Sequence, residues 1–158
     1  MLSTSHRGPT MNPITILLVE DNEHDELLIR RALRKAHLGN PIDVAHDGQQ
    51  AIDYLFRQGA FAQREDTPPV VVMLDIGLPR LSGLDVLERI RADPRTHTLP
   101  VVILTSSDEE RDILDSYKTG ANSFVRKPLD FAQFAETVGR LGIYWVATNV
   151  PPPRTPTA

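Results

Sequence analysis

The sequence predicts an α/β protein, a doubly wound parallel sheet of five strands with helices on both faces. Two observations carry that expectation. Five short, largely apolar runs, at residues 14–19, 42–45, 70–74, 101–104 and 123–126, alternate with longer segments that open on helix-capping residues. Strand and helix in strict alternation need crossover connections, and crossovers make the strands parallel. The run Val70-Val71-Val72-Met73-Leu74 is apolar without a break, the pattern of a strand covered on both faces.

In chain order, residues 1–13 form a polar lead expected to be disordered, and one domain is expected over 14–150. Ile14-Thr15-Ile16-Leu17-Leu18-Val19 is the first strand and ends in Glu20-Asp21. Asp21 or Asn22 can cap a helix over residues 23–36, which Gly39 and Pro41 close. Ile42-Asp43-Val44-Ala45 is a short second strand. Asp47-Gly48-Gln49-Gln50 resembles a capping box opening a helix that reaches Arg57. The polar stretch 58–69 ends in Pro68-Pro69 and is too long for a tight connection, so it reads as a surface loop. The third strand stops at Asp75, where Gly77 and Pro79 turn the chain. Ser82-Gly83-Leu84-Asp85 caps a helix that ends near Asp93-Pro94. Val101-Val102-Ile103-Leu104 is the fourth strand and ends in Thr105. Ser107-Asp108-Glu109-Glu110 is expected to cap the next helix, and Gly120 to end it. The acidic part of that run reads as a solvated first turn favoured by the helix dipole. Ser123-Phe124-Val125-Arg126 leads to Lys127-Pro128, and Asp130 starts a last helix over residues 131–149. The proline-rich tail, 151–158, is expected to be disordered.

Composition narrows the function classes. A net charge of −4 speaks against a nucleic-acid-binding surface, which is usually basic. With no cysteine, neither a disulfide framework nor a thiolate metal site can form. The apolar runs are too short to span a bilayer, and the polar lead does not resemble a signal peptide, so a cytoplasmic protein with no membrane partner is expected. The five histidines (His6, His24, His37, His46 and His97) show no metal-ligand spacing and read as surface or local packing residues.

Chemistry is expected where the strands end. Glu20 and Asp21 follow the first strand, Asp75 the third, Thr105 the fourth and Lys127 the fifth. In a parallel sheet these ends share one edge. Two carboxylates at ~4 Å repel by about 4 kcal/mol at an effective dielectric of 20, and one lysine cannot neutralise three acids. A divalent cation resolves the conflict. Mg²⁺ takes oxygen ligands, and Asp21, Asp75 and a backbone carbonyl just after Asp75 can supply them. Lys127 and the Thr105 hydroxyl can then hold phosphoryl oxygens while Asp75 acts as nucleophile and becomes an aspartyl phosphate.

With these residues on the page, the chain resembles the receiver domain of two-component response regulators. The resemblance rests on Leu18-Val19-Glu20-Asp21-Asn22, Met73-Leu74-Asp75, Leu78-Pro79 with Gly83, Leu104-Thr105-Ser106 and Lys127-Pro128. It spans residues 14–141. It implies the flavodoxin-like strand order 2-1-3-4-5 and a phosphoryl group delivered to Asp75 from a sensor histidine kinase. It also implies Glu20, Asp21, Asp75 and the Gly77 carbonyl around Mg²⁺, with Glu20 acting through water. Thr105 and Phe124 would be the switch pair, Lys127 would pair with the phosphoryl group, and the Lys127–Pro128 bond is often cis in the family. Four departures stand out: Glu20 where aspartate is also common, Phe124 for the frequent tyrosine, Gly77 with no side chain over the site, and Ser82, expected to be harmless, where aspartate or asparagine is frequent. A narrower resemblance, in the 58–69 insertion and in Gly142-Ile143-Tyr144-Trp145 before three prolines, is to the single-domain regulators paired with bacterial and cyanobacterial phytochromes.

The last helix carries a further expectation. Phe131, Phe134, Val138, Leu141 and Trp145 follow helical spacing and read mainly as core. Ile143, Tyr144, Trp145 and Val146 are consecutive, and no single helix face buries four successive residues. They are the expected interface of a homodimer. Two rival readings are weaker. An aspartyl phosphatase of the haloacid-dehalogenase kind wants an acid two residues after the nucleophile, where Gly77 stands. A nucleotide- or flavin-binding domain wants a glycine-rich loop after the first strand, where Glu20-Asp21 stand.

Overall fold

The structure is a computed structural model that describes residues 14–153. The expected lead, and the tail from residue 154 onward, lie outside the described residues. Five strands, β1 (Ile16–Val19), β2 (Ile42–Ala45), β3 (Val71–Leu74), β4 (Val101–Thr105) and β5 (Ser123–Arg126), form one sheet in the order β2-β1-β3-β4-β5. Every neighbouring pair is parallel. The helices are α1 (Glu23–Lys35), α2 (Gly48–Leu55), α3 (Gly83–Ala92), α4 (Glu110–Thr119) and α5 (Phe131–Gly142).

The period of two along each central strand divides the core into two layers. Leu17, Val19, Val72, Leu74, Val101 and Ile103 face α2 and α3, packing on Ala51, Ile52, Val86, Leu87 and Ile90. Ile16, Leu18, Val71, Met73, Val102 and Leu104 face α1 and α5, packing on Ile29, Leu33, Phe134 and Val138. The helix α4 lies beside α3 and contributes Ser116 as its fully buried residue.

Local chemistry sets most helix starts. Asn22, Asp47, Ser82 and Asp130 each cap a helix by accepting a backbone N–H, and α3 has a complete capping box with Asp85. At α2 the Gln50 side chain accepts the N–H of His46 rather than that of the cap residue Asp47. Several ends differ from expectation. His37, not Gly39, ends α1: it takes φ +62, and Leu38 and His37 donate to the carbonyls of Leu33 and Arg34 in a Schellman closure. α2 stops at Leu55, and Arg57 takes φ +52 in the turn that follows. α4 starts at Glu110 with no side-chain cap, because the Ser107 hydroxyl donates to Asp112 Oδ2 instead. Gly120 ends α4 at φ +114 as expected.

The 58–69 segment is an ordered surface loop. It contains a 3-10 turn (Gly59–Phe61), and Arg64 ties it down by stacking 4.2 Å over the Tyr54 ring and donating to the carbonyls of Tyr54, Glu65 and Thr67. The last helix is α-helical to Gly142 only. Residues Ile143–Thr148 form a π-helical turn, with Asn149 N–H donating to the Tyr144 carbonyl five residues back. Gly142 packs where a Cβ would come within 2.6 Å of both Leu33 and Leu38 side chains. Phe131, expected in the core, is 59% exposed. No described peptide bond is cis, so the Lys127–Pro128 bond is trans. Among the described residues no helix is long and apolar enough to cross a membrane.

Candidate functional site

Four of the five strands, β1, β3, β4 and β5, deliver one or two polar residues to the site at the carboxyl edge of the sheet. Glu20 follows β1 and is 1% exposed. Asp75 follows β3, its backbone N–H held by the Val19 carbonyl at 3.2 Å. Thr105 closes β4, and its carbonyl accepts the Lys127 N–H at 2.7 Å, which registers the residue after β5 against the end of β4. The side chains meet as this backbone requires. Lys127 Nζ donates to Glu20 Oε1 at 2.6 Å, to Asp75 Oδ2 at 2.9 Å and to Asp25 Oδ2 at 2.8 Å. Thr105 Oγ1 donates to Asp75 Oδ1 at 2.8 Å, and the Gly77 N–H reaches the same oxygen at 3.0 Å.

Asp21 is exposed, yet one carboxylate oxygen from each of Glu20, Asp21 and Asp75 lies within 4.8 Å of the others. Three hard oxygen donors at this spacing suit Mg²⁺ or Mn²⁺. Among the described residues no histidine joins a metal-capable group. His46 bonds Glu26 and His97 bonds the Pro94 carbonyl, local roles of the expected kind.

The electrostatics follow burial and partners. Burial pushes the Glu20 carboxyl up to about 7 against the pull of Lys127, with the Asp75 charge adding to the rise. Burial alone would lower Lys127, but its bonds to Asp25, Glu20 and Asp75 more than offset that and hold it above the usual lysine range. The three carboxylates thus favour the charged ammonium. A cleft of about 520 Å³ opens over Asp75, walled by Gly77, Thr105 and Ser107.

The structure thus brings together Glu20, Asp21, Asp75, Gly77, Thr105 and Lys127. Phe124 stands apart on β5, half-buried against the α2/α3 layer of the core. Ile143, Tyr144, Trp145 and Val146 lie in the π-helical turn; the first two are exposed, and the last two lean on the α1/α5 layer. Asp25 is the residue the sequence reading missed. Its signal was weak: an acid in the first turn of a helix, four residues after Asp21.

Residues 16–139 match the response regulator receiver domain family. The chain belongs to that family. Among curated relatives, this receiver is 36% identical over 142 residues to the probable methanogenesis regulatory protein FilR2 of Methanothrix harundinacea, covering 89% of each chain. It is 31% identical over 137 residues to the response regulator Rcp1 of a Synechocystis species, covering 86% of this chain and 91% of that one. Among solved structures, the phosphorylated cyanobacterial phytochrome response regulator RcpA superimposes with a TM-score of 0.84 at 32% identity, over 90% of this receiver and all of that chain. The bacteriophytochrome response regulator RtBRR gives 0.72 at 45% identity, over 90% and 86%. A Mn²⁺-bound form of Rcp1 gives 0.83 at 30% identity, over 89% and 100%, in keeping with the oxygen-rich pocket found here.

Proposed function

We propose that this receiver is a single-domain response regulator that takes a phosphoryl group from a sensor histidine kinase, of phytochrome type, onto Asp75 and signals by protein–protein contact. The observation that carries the reading is the Asp75 carboxylate. One oxygen is held by Thr105 and Gly77, the other by Lys127, and two further acids stand within ligand distance. A carboxylate oxygen of Asp75 attacks the phosphorus of a phosphohistidine. The P–N bond breaks, and its electron pair returns to the imidazole, which takes a proton from solvent. A divalent cation held by Glu20, Asp21, Asp75 and the Gly77 carbonyl would neutralise charge on the transferring group. Lys127 pairs with one phosphoryl oxygen and the Thr105 hydroxyl with another, and Phe124 follows Thr105. Moving such a switch from 1:99 to 99:1 needs about 5.5 kcal/mol of preference.

The chain then acts on its own phosphorylation state rather than on outside substrates, and works in the cytoplasm beside its kinase, without nucleic acid. Gly77 speaks against an aspartyl phosphatase, which needs an acid there to protonate a leaving group. Output passes through a homodimer formed by Ile143, Tyr144, Trp145 and Val146. In support, Ile143 and Tyr144 are 45% and 48% exposed. A groove of about 510 Å³ runs beside Tyr144 between β5 and α5, and it is lined by Ser123, whose buried hydroxyl finds no partner among the described residues.

Intact mass after incubation with acetyl phosphate tests the chemistry. The expected result is a Mg²⁺-dependent gain of one phosphoryl mass that Asp75→Asn abolishes. No gain under any condition, together with no binding of beryllofluoride, would overturn it.

A further inference from the structure

Asp25 belongs to no strand end, yet its carboxylate lies 2.8 Å from Lys127 Nζ, across 102 positions of sequence. Helix capping explains how it gets there. In both α1 and α3 the cap side chain accepts the N–H of the third helical residue, and that residue is an aspartate: Asp25 below Asn22, Asp85 below Ser82. In α3 the Asp85 carboxylate turns back and accepts the Ser82 N–H, closing the capping box. In α1 the Asn22 N–H is given to Glu20 Oε2 at 3.2 Å. The Asp25 carboxylate is released from the usual duty and turns to the ammonium.

An ammonium has three N–H bonds. Glu20, Asp25 and Asp75 account for all three, at 2.6, 2.8 and 2.9 Å. Two of these acceptors are anchored independently of the reacting group, Glu20 by the end of β1 and Asp25 by the Asn22 cap. We propose that Asp25 is a positioning residue that, with Glu20, holds two N–H bonds of Lys127 so that the third is aimed at Asp75. The inference rests on the reading of Asp75 as phosphoryl acceptor. When the phosphoryl group arrives, only the third bond changes partner, from Asp75 Oδ2 to a phosphoryl oxygen, and the ammonium need not reorganise. With Asp25 removed, a flexible four-carbon stem is left with one fixed anchor.

Asp25→Ala and Asp25→Asn, with wild type and Asp75→Asn beside them, are followed by intact mass during phosphorylation by acetyl phosphate across a Mg²⁺ series. Loss of one hydrogen bond to a charged group lowers the rate at saturating Mg²⁺ roughly tenfold in Asp25→Ala, while the half-saturating Mg²⁺ moves less than about threefold, because Asp25 is not a ligand. Asp25→Asn, whose amide oxygen still accepts, recovers part of the rate. In the metal-free protein the Lys127 ammonium gives an NMR signal protected from water exchange, and Asp25→Ala loses that protection. Because this signal needs no phosphodonor, it tests the contact even if wild type gains no phosphoryl mass, a result that would defeat the receiver reading itself. A full rate restored at high Mg²⁺ would make Asp25 a metal-site acid and overturn the proposal. An unchanged rate in both variants, with only thermal stability reduced, would overturn it as well.

Discussion

Two carboxylates of this protein sit at opposite ends of the same physical scale. Burial raises Glu20 to about 7. At the C-terminal end of α3, the Arg95 guanidinium grips both oxygens of Asp93, at 3.0 and 2.8 Å, and with the Arg95 backbone N–H holds it at about 2. The folded value lies below the ordinary 3.8, so the native state binds the proton less readily than the unfolded chain. The pair's contribution to stability is therefore complete above about 3.8 and disappears as pH falls from there through about 2. It is small, because the pair is in water. A carboxyl NMR titration of Asp93 is expected to give a midpoint near 2 that rises toward about 4 in Arg95→Ala; a midpoint unmoved by the substitution would refute the ion-pair assignment. Residue scale is also where the sequence was most and least legible. Glu20, Asp21, Asp75, Thr105 and Lys127 could be gathered in advance because strand ends in a parallel sheet share an edge. Asp25 could not. Acids are favoured in any first helical turn, and its approach to Lys127 depends on which group takes the Asn22 N–H.

At the scale of elements, the turn between β3 and α3 fixes where Asp75 can stand. A Cβ on Gly83 would lie 2.1 Å from the Asp75 carbonyl oxygen and 2.7 Å from Ile76 Cα, and the Gly83 N–H donates to the Ile76 carbonyl at 2.8 Å. Gly83→Ala must push the start of α3 off the end of β3. The expected cost is about 2 kcal/mol, read from the urea midpoint, with slower phosphorylation of the displaced Asp75. Gly77→Ala is the control in the same turn, since its Cβ would meet Asp75 Oδ1 at an ordinary 3.9 Å; its stability should stay within about 0.5 kcal/mol of wild type. Equal losses in the two variants would refute the close-approach argument. Elements were legible wherever a side chain caps its own helix, as at Asn22, Asp47, Ser82 and Asp130. They were misjudged where backbone alone decides: His37 in the left-handed closure of α1, Glu109 before an uncapped α4, and the widening of the last helix after Gly142. At the first and the last the deciding contact is a backbone hydrogen bond three to five residues back, and before α4 the Ser107 hydroxyl is taken by Asp112; none of these leaves a pattern in residue type.

For the whole molecule, the two-layer core followed from period-two strands and amphipathic helices, and that much could be read in advance. What covers the π-helical turn could not, since the pattern there marks only residues that one face cannot bury. Of the four, Trp145 and Val146 reach the α1/α5 layer, and Tyr144 stands edge-to-face on Trp145 at 5.0 Å and 86°. The exposed apolar side chains of the turn are therefore Ile143 and Tyr144, with Val150 exposed two residues beyond it. These side chains are carried on a rigid mount, since α5 packs against α1 and Gly142 fits closely between Leu33 and Leu38. A rigid apolar patch beside a groove suits an isologous contact, in which the patch of each copy meets the same surface of the other. The expected result is sedimentation as a dimer at tens of micromolar, with Ile143→Glu and Tyr144→Glu together shifting the protein to monomer. Because both side chains are exposed, the double variant should unfold at nearly the wild-type urea midpoint when compared at monomeric concentrations, which separates lost association from lost folding. A wild-type monomer at those concentrations, with and without acetyl phosphate, would end the dimer reading and leave the exposed pair to a different protein partner.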